Sequence, residues 1–170
     1  MSVARRYTVD DVLALPEDEW HRYELIDGEL EVSSAPSGRH QLVVGNLNAD
    51  LVNWNRRTGA GLVLTGIGLV FSIYDSVIPD LVWISKERLP LLMRGDGRLH
   101  AAPDLVVEVL SPGSANQARD RRKKLALYAR REVKEYWLID PEARTVQAFR
   151  LVAGELVPTV MAGEGDEVES

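Results

Sequence analysis

Apolar and polar positions near the amino terminus predict a short helix followed by a hairpin. Thr8 and Asp11 stand three residues apart ahead of an apolar run, which is the form of a helix N-cap, and Pro16 ends that helix. The segment Tyr23–Val32 has the pattern of two strands joined at Asp27-Gly28. Because this dipeptide readily takes the positive φ angles of a type I′ turn, we expect a tight hairpin.

The middle of the chain changes from helical to strand spacing. Apolar residues recur every three or four positions from Ser37 to Arg57, which predicts a long helix with Gly59 at its carboxyl-terminal stop. Two short strands, Leu62–Thr65 and Leu69–Ile73, follow and are separated by glycines.

Two later segments are almost continuously apolar. Asp80–Ile84 and Asp104–Leu110 each follow a proline. Strands that are apolar on both faces are typical of a sheet covered on both sides, so we expect these two to be central strands. Residues 86–103 between them combine glycines with mixed charges and predict a long irregular connection.

The last third of the chain returns to alternating elements. Ala115–Arg131 has a basic helical pattern, and Glu135–Asp140 has that of a strand. Two further strands, Thr145–Leu151 and Leu156–Val160, are predicted to pair. Residues 162–170 are acidic and contain glycine, which predicts a loose tail.

Composition fits one globular domain and limits its chemistry. The 170 residues are 45% hydrophobic and 27% charged, without a repeat or a linker, so we expect one α/β domain over residues 1–170 with helices around a mixed sheet. No apolar run suits a transmembrane helix or a signal peptide, which favours the cytoplasm. The absence of cysteine excludes thiolate nucleophiles and cysteine-based zinc sites. The net charge of −6 means that nucleic acid could bind only at a local basic patch.

One carboxylate stands inside a predicted core strand. Glu108 shares a face with Val106 and Leu110, and a buried glutamate is rare unless it is paired or binds a metal. Asp104 lies on the same face but about 13 Å away, which is too far to share one ion. If the two apolar strands pair, Asp80 and Glu108 converge, and two carboxylates suit magnesium or manganese. The alternatives are a buried salt bridge and an edge strand with Glu108 turned to solvent.

The helix that follows Glu108 supplies basic residues. Asp120, Lys124 and Tyr128 are spaced at i, i+4 and i+8 and therefore form one stripe. A solvated basic face explains such a helix by itself, but its first turns follow the strand of Glu108, and this position favours a role at that site. The positive charges that we expect to contact nucleic acid are those of Arg119, Arg121, Arg122 and Lys123.

These segments resemble the Uma-two family, which belongs to the PD-(D/E)XK nuclease superfamily. The similarity runs in order from about Tyr7 to Val160. The motifs that carry it are Tyr23-Glu24-Leu25-Ile26-Asp27-Gly28-Glu29, His40-Gln41, Pro79-Asp80, Val107-Glu108-Val109-Leu110-Ser111-Pro112, Asp120…Lys124…Tyr128 and Val133-Lys134-Glu135-Tyr136-Trp137-Leu138-Ile139-Asp140-Pro141. The resemblance implies a restriction-endonuclease-like core, a mixed central sheet flanked by helices, with an N-terminal helix and hairpin.

The resemblance also implies a metal-dependent endonuclease that hydrolyses phosphodiester bonds in nucleic acid, with DNA the expected polymer. Asp80, Glu108 and the main-chain carbonyl of Val109 would bind magnesium or manganese, and Glu24 would be a further catalytic acid. Lys124 would stabilise the attacking hydroxide or the charge on the phosphate.

Some of the implied site residues have simpler interpretations. His40, Asp120 and Tyr128 are auxiliary candidates, and a histidine near a helix start is more often a cap or a surface contact. On a hairpin, a solvated acid is the ordinary case, and Glu29 or Glu31 could be the inward acid in place of Glu24.

Departures from the family pattern leave other functions open. The superfamily's lysine normally stands two residues after the glutamate, where this chain has Leu110, so the role of Lys124 assumes a relocated lysine. Arg131-Glu132 stands where the family has a small residue and glycine, which changes a turn. The alternatives are a catalytically degenerate module that binds nucleic acid or a partner, and a structural dimer with a buried ion pair at Glu108. A homodimer also suits the nuclease, because many nucleases of this fold cut two strands with two subunits.

Overall fold

The computed structural model describes residues 5–16, 20–111 and 117–166, and of residues 117–120 it describes the backbone alone. Within these residues the helices are α1 (Val9–Leu13), α2 (Gly38–Thr58), α3 (Leu89–Leu92) and α4 (Gln117–Arg130). The strands are β1 (His21–Ile26), β2 (Glu29–Ser34), β3 (Gly61–Thr65), β4 (Leu69–Ser72), β5 (Asp75–Val77), β6 (Leu81–Ser85), β7 (Leu105–Val109), β8 (Glu135–Asp140), β9 (Thr145–Val152) and β10 (Glu155–Ala162). Residues 167–170 of the expected tail lie outside the described residues. No helix in the described part of the chain is long and apolar enough to cross a membrane.

The strands form two sheets. The smaller sheet has the order β2-β1-β5-β4 and is antiparallel, and the larger has the order β10-β9-β8-β7-β6-β3. In the larger sheet β7 and β8 pair in parallel and their neighbours pair antiparallel, so the sheet is mixed, as predicted. Parallel pairing needs a long crossover, and α4 lies between β7 and β8 in the chain.

Local sequence chemistry forms α1, the hairpin and the end of α2 as predicted. The Thr8 hydroxyl accepts from the Asp11 main-chain N–H, and the Asp11 carboxylate accepts from the Thr8 N–H at 2.8 Å, which completes a capping box. Asp27 and Gly28 have φ angles of 54° and 77°, as a type I′ turn requires. Gly59 ends α2 in the left-handed conformation, with φ of 62°.

β7 lies between two apolar cores, and all five of its residues are buried. Val106 belongs to a core that includes residues of α4 and the smaller sheet, whereas Val107 and Val109 belong to a second core with Val44 of α2. The strand therefore has no solvent face, and its alternation places Glu108 on the α4 side.

Asp75 fastens the smaller sheet to α4. Its carboxylate, in a residue that is 2% exposed, accepts from the Asp27 main-chain N–H at 2.8 Å and from the Ser72 hydroxyl at 2.9 Å. It also forms an ion pair with Arg131, just after α4. This cluster fixes the end of α4 against the hairpin turn.

Two elements differ from the sequence prediction. The connection over residues 86–103 contains α3, and bridges join Leu69 and Met93 to Leu99. β5 was not predicted. α3 has four residues and β5 has three, and both are shorter than the stretch over which apolar spacing distinguishes a helix or a strand.

Candidate active site

Asp80 and Glu108 lie opposite each other where β6 and β7 pair. The two strands are antiparallel and Leu81 pairs with Val107, so the next residues outward are Asp80 and Glu108. Directly opposed residues share a face of the sheet, and their Cα atoms are about 4.5–5.5 Å apart. The residues are 5% and 7% exposed. The strand pairing on which the predicted convergence depended is therefore present.

Asp80 is held by three donors. Its Oδ2 accepts from the main-chain N–H of Val109 at 2.8 Å and lies 3.1 Å from Nε2 of His40, while Oδ1 accepts from Arg22 at 3.2 Å. Burial by itself would raise the pKa of Asp80, but the hydrogen bonds from His40 and Val109 outweigh it and hold that pKa below its usual value. Asp80 is therefore ionised at neutral pH.

Lys124 joins three elements of the fold. Its Nζ donates to Oε1 of Glu108 on β7 at 2.9 Å and lies 3.0 Å from Oε2 of Glu24 on β1. The Tyr128 hydroxyl, one turn along α4, donates to the same Oε1 of Glu108 at 2.6 Å. Glu24 in turn accepts from the main-chain N–H of Ile78 at 2.7 Å. Of the predicted stripe, Lys124 and Tyr128 thus meet at Glu108, while the Asp120 side chain lies outside the described residues.

The three carboxylates of the site, Glu24, Asp80 and Glu108, outnumber the lysine and arginine cations that pair with them, Lys124 and Arg22. Burial raises the pKa of Glu108 to about 7, Lys124 opposes this shift, and the charges of Glu24 and Asp80 add to it. Burial would lower the pKa of Lys124, but the carboxylates of Glu108 and Glu24 raise it above its usual value, so this ammonium remains charged. The excess of buried carboxylate is an environment that a bound cation stabilises.

The Oε2 atom of Glu108 is the observation in this site that bears on metal binding. Both donors to Glu108 reach Oε1, and no described residue donates to Oε2. A hard cation prefers such oxygen ligands, and magnesium is commonly held by one or two carboxylates with water completing its shell. In the described part of the chain, no three histidine or acidic side chains are grouped to hold a metal ion. The carboxylates of Glu24 and Glu108 are instead bonded by the Lys124 ammonium. The carboxylate oxygens of Asp80 and Glu108 are the type of donor that a small divalent cation takes.

His40 is neither a surface contact nor the cap of α2. It is 4% exposed, and the cap is Ser37, whose hydroxyl accepts from the His40 main-chain N–H. While Nε2 contacts Asp80, Nδ1 is buried without a hydrogen-bond partner among the described residues. The imidazole therefore supports Asp80 from the first turn of α2.

Lys123 faces the hairpin rather than open solvent. It bonds Glu29 at 2.6 Å and also pairs with Glu31. Glu31 lies opposite Glu24 in the hairpin, so the three acids face α4 together, and Glu24 is the buried one. The structure thus places Glu24, rather than Glu29 or Glu31, beside Glu108.

The other predicted basic contacts are dispersed. Arg122 is exposed on α4, and Arg121 donates to Asp140 at 3.4 Å. The side chain of Arg119 lies outside the described residues. Asp104 is at the opposite end of β7, where it accepts from Arg88 at 2.8 Å and from Lys134 at 2.6 Å, so it does not share a site with Glu108.

Sequence reasoning missed two arginines. Arg22 contacts Asp80, and strand alternation could have found it, because it stands two residues before Glu24 and shares its face. Arg39 donates to the Pro141 carbonyl at 2.7 Å. Its only sequence signal is its position beside His40.

Comparison with known proteins gives a family and a fold. The model of the Uma2 family, described as "Putative restriction endonuclease", matches residues 9–170. A crystal structure described as "a putative nuclease belonging to DUF820 from Anabaena variabilis ATCC 29413" has a TM-score of 0.74 at 23% sequence identity, covering 96% of this chain and 88% of that one. No curated protein matches the chain. The structural similarity confirms the predicted nuclease-like α/β fold.

Proposed function

The chain belongs to the Uma2 family, and from this membership and the geometry above we propose that it is a metal-dependent nuclease that hydrolyses phosphodiester bonds within nucleic acid, with DNA the expected polymer. The observation that carries the proposal is the buried group at the end of β6 and β7, where Asp80 and Glu108 face each other and Lys124 bonds Glu108. A carboxylate pair can hold a divalent cation and a lysine beside it can stabilise charge on phosphate, and both roles suit phosphodiester hydrolysis.

Magnesium or manganese would be held by Asp80, Glu108 and the main-chain carbonyl of Val109. Such an ion, when bound, activates water and neutralises phosphate oxygens. Asp80 is suited to this role because its low pKa keeps it ionised, and Arg22 and His40 fix its orientation. Because Arg22 and His40 hold the Asp80 carboxylate in one orientation, the site is pre-organised for the ion.

Lys124 and Tyr128 determine how Glu108 acts. Both donate to Oε1, which leaves Oε2 turned away from them as the second ligand. The raised pKa of Lys124 keeps its proton on Nζ, so the residue stabilises the negative charge that builds on phosphate rather than acting as a general base. Glu24 holds the ammonium in position from the hairpin side.

In the reaction a water oxygen forms a bond to phosphorus while the ester P–O bond breaks. One proton leaves the water, and one reaches the departing oxygen. The burial of Glu108 and the low exposure of the Lys124 side chain, 17%, strengthen these electrostatic interactions, because a charge acts more strongly where water is excluded.

A degenerate module that binds nucleic acid without cutting it is the second candidate. Leu110, where the superfamily has its lysine, favours it, and so does the engagement of Lys124 by both Glu24 and Glu108. In this candidate Lys124 would be a structural ion pair. The two functions differ in whether a divalent cation leads to product.

A cleavage panel distinguishes the two candidates. Plasmid, single-stranded and double-stranded DNA and RNA are incubated with magnesium or manganese, and with a chelator as the control. We expect product only with the metal, and a loss of at least about 100-fold for Glu108→Gln. Glu155→Gln, an exposed carboxylate at the start of β10, is the matched control and should cleave like the wild type. Binding without metal-dependent cleavage of any substrate would select the binding module.

A further inference from the structure

Two arginines from different helices meet at the end of β8. Arg39, in the first turn of α2, donates from Nη2 to the Pro141 carbonyl at 2.7 Å. Arg121, on α4, donates from Nη2 to Oδ2 of Asp140 at 3.4 Å. Asp140 and Pro141 are adjacent, so both guanidinium groups are held by one turn. The Asp-Pro pair that ends the motif Val133–Pro141 therefore anchors two arginines from different helices.

The turn lies at the same end of the sheet as the candidate active site. β7 and β8 run parallel, with Val109 paired to Ile139, so the residue after Ile139 is level with the end of the strand that carries Glu108. Arg39 is also the neighbour of His40, which contacts Asp80. The two arginines are therefore beside the metal-binding carboxylates proposed above.

This turn has more hydrogen-bond donors than acceptors. A guanidinium has five N–H donors, and exposed Arg39 uses one of them on Pro141. The Nε of Arg121 is buried without a hydrogen-bond partner among the described residues, and the contact of Arg121 with Asp140 is long. The second oxygen of Asp140 is occupied by the main-chain N–H groups of Glu142 and Ala143. Arg39 therefore has further N–H donors, at an exposed position, that the oxygen atoms of an anion can accept.

Three basic residues in and just after α4 are already paired with acids of the smaller sheet or of its hairpin turn. Lys123 pairs with two acids of the hairpin, Arg130 with Asp27, and Arg131 with Asp75. In a chain of net charge −6, the arginines that remain for a polyanion include Arg39 and Arg121 at this turn and exposed Arg122 on α4. The turn at Asp140 therefore brings two guanidinium groups together, and its acids are Asp140 and the exposed Glu142.

We propose that Arg39 and Arg121 form a phosphate clamp, which binds the phosphodiester groups next to the scissile one on a nucleic-acid strand. The identity of the strand rests on the proposed function. Guanidinium groups suit this ligand because their paired N–H groups match two phosphate oxygens. Contacts to phosphate position a strand without selecting its bases, so the clamp confers affinity and register rather than sequence specificity.

Binding in a chelator tests the clamp separately from cleavage. Fluorescence anisotropy with labelled single-stranded DNA, double-stranded DNA and RNA, at about 50–200 mM salt, gives both the affinity and its salt dependence. For Arg39→Gln we expect affinity about 5–10-fold weaker and a salt slope smaller by about one ion. Arg57→Gln is the matched control, because Arg57 is an exposed arginine in the last turn of the same helix, about 27 Å away. It should remain within about twofold of the wild type.

A conservative variant separates the clamp from a general charge effect. Arg39→Lys keeps the charge but loses the paired geometry, so it should retain the wild-type salt slope with intermediate affinity. Arg121→Gln should weaken binding like Arg39→Gln, and thermal unfolding reports whether it folds. If Arg121→Gln does not fold, the two Arg39 variants and Arg57→Gln still test whether the clamp binds phosphate.

Equal effects of Arg39→Gln and Arg57→Gln, or no binding by the wild type to any of the three polymers, would overturn the clamp. The three substrates show whether DNA or RNA supplies the phosphate. If the wild type cleaves and Arg39→Gln binds normally, the clamp is rejected and the proposed nuclease activity is retained. A wild type that binds through Arg39 but never cleaves ends the proposed nuclease and leaves the clamp.

Discussion

Glu108 is subject to opposing influences on its charge. Burial and the nearby carboxylates of Glu24 and Asp80 favour its neutral form, whereas Lys124 and Tyr128 favour the ionised form. The result is a pKa of about 7, so the residue changes charge in the physiological range when no metal is bound. A group placed for catalysis rather than for stability is expected to show such an internal conflict.

This pKa predicts how Glu108→Gln changes stability. The folded-state pKa of about 7 lies above the ordinary value of 4.5, so the contribution of Glu108 is stabilising below pH 4.5 and is lost as the pH rises to 7. Glutamine resembles the protonated form. In a chelator, the variant should therefore match the wild type at about pH 5 and exceed it by roughly 1–3 kcal/mol at about pH 8.

Urea unfolding at the two pH values measures this difference. Glu142→Gln, in an exposed turn, should show none. A variant of Glu108 that is less stable than the wild type at the higher pH would identify a structural ion pair with Lys124. That result would favour the structural dimer with a buried ion pair at Glu108.

Among the elements, α4 determines the geometry of the site. One of its faces places Lys124 and Tyr128 on Glu108, and Lys123 binds the acids of the hairpin. Its carboxyl-terminal end is held by the pairing of Arg131 with Asp75. A shift of α4 would therefore move the lysine relative to both Glu24 and Glu108.

The end of α4 retains strain that a single substitution should remove. Glu132 has φ of 61°, a left-handed conformation that costs a side-chain-bearing residue about 1–2 kcal/mol. Glycine avoids this cost but loses roughly 0.5–1 kcal/mol through the greater freedom of the unfolded chain. Glu132→Gly should therefore raise the free energy of unfolding by about 0.5–1 kcal/mol.

Chemical denaturation of Glu132→Gly measures that gain. Glu142→Gly replaces an exposed glutamate in a turn where no positive φ favours glycine, and it should be neutral or destabilising. A loss of stability in Glu132→Gly would show that the Glu132 side chain makes a contact that outweighs the backbone strain.

For the whole molecule, local patterns predicted most of the fold and part of the site. The capping box at Thr8, the Asp27-Gly28 turn and the apolar spacing of α2 are encoded within a few residues. Glu108 was recognisable because an acid inside an apolar strand is costly wherever that strand packs. Its convergence with Asp80 could be stated only as a condition, because apolar spacing does not show which strands pair.

The contacts that the sequence could not predict join distant parts of the chain. Arg22 and Asp80 are 58 residues apart, and Arg39 and Pro141 are 102 residues apart. Neither partner has a local pattern that names the other. The contact of Lys123 with nucleic acid stays a prediction. Because Lys123 pairs with the acids of the hairpin, its substitution would also disturb those ion pairs.

Comparison of Lys124→Ala with Arg122→Ala tests metal-dependent catalysis most directly, because Arg122 is exposed on the same helix. Single-turnover cleavage in magnesium and the Kd for the same substrate in a chelator are measured for both, with thermal unfolding as the folding control. Lys124→Ala should cleave at least about 100-fold more slowly with Kd within about threefold, because its charge acts on the transition state. Arg122→Ala should bind slightly more weakly and cleave at the wild-type rate. Equal effects of the two substitutions, or a wild type without metal-dependent cleavage, would contradict a catalytic role for Lys124.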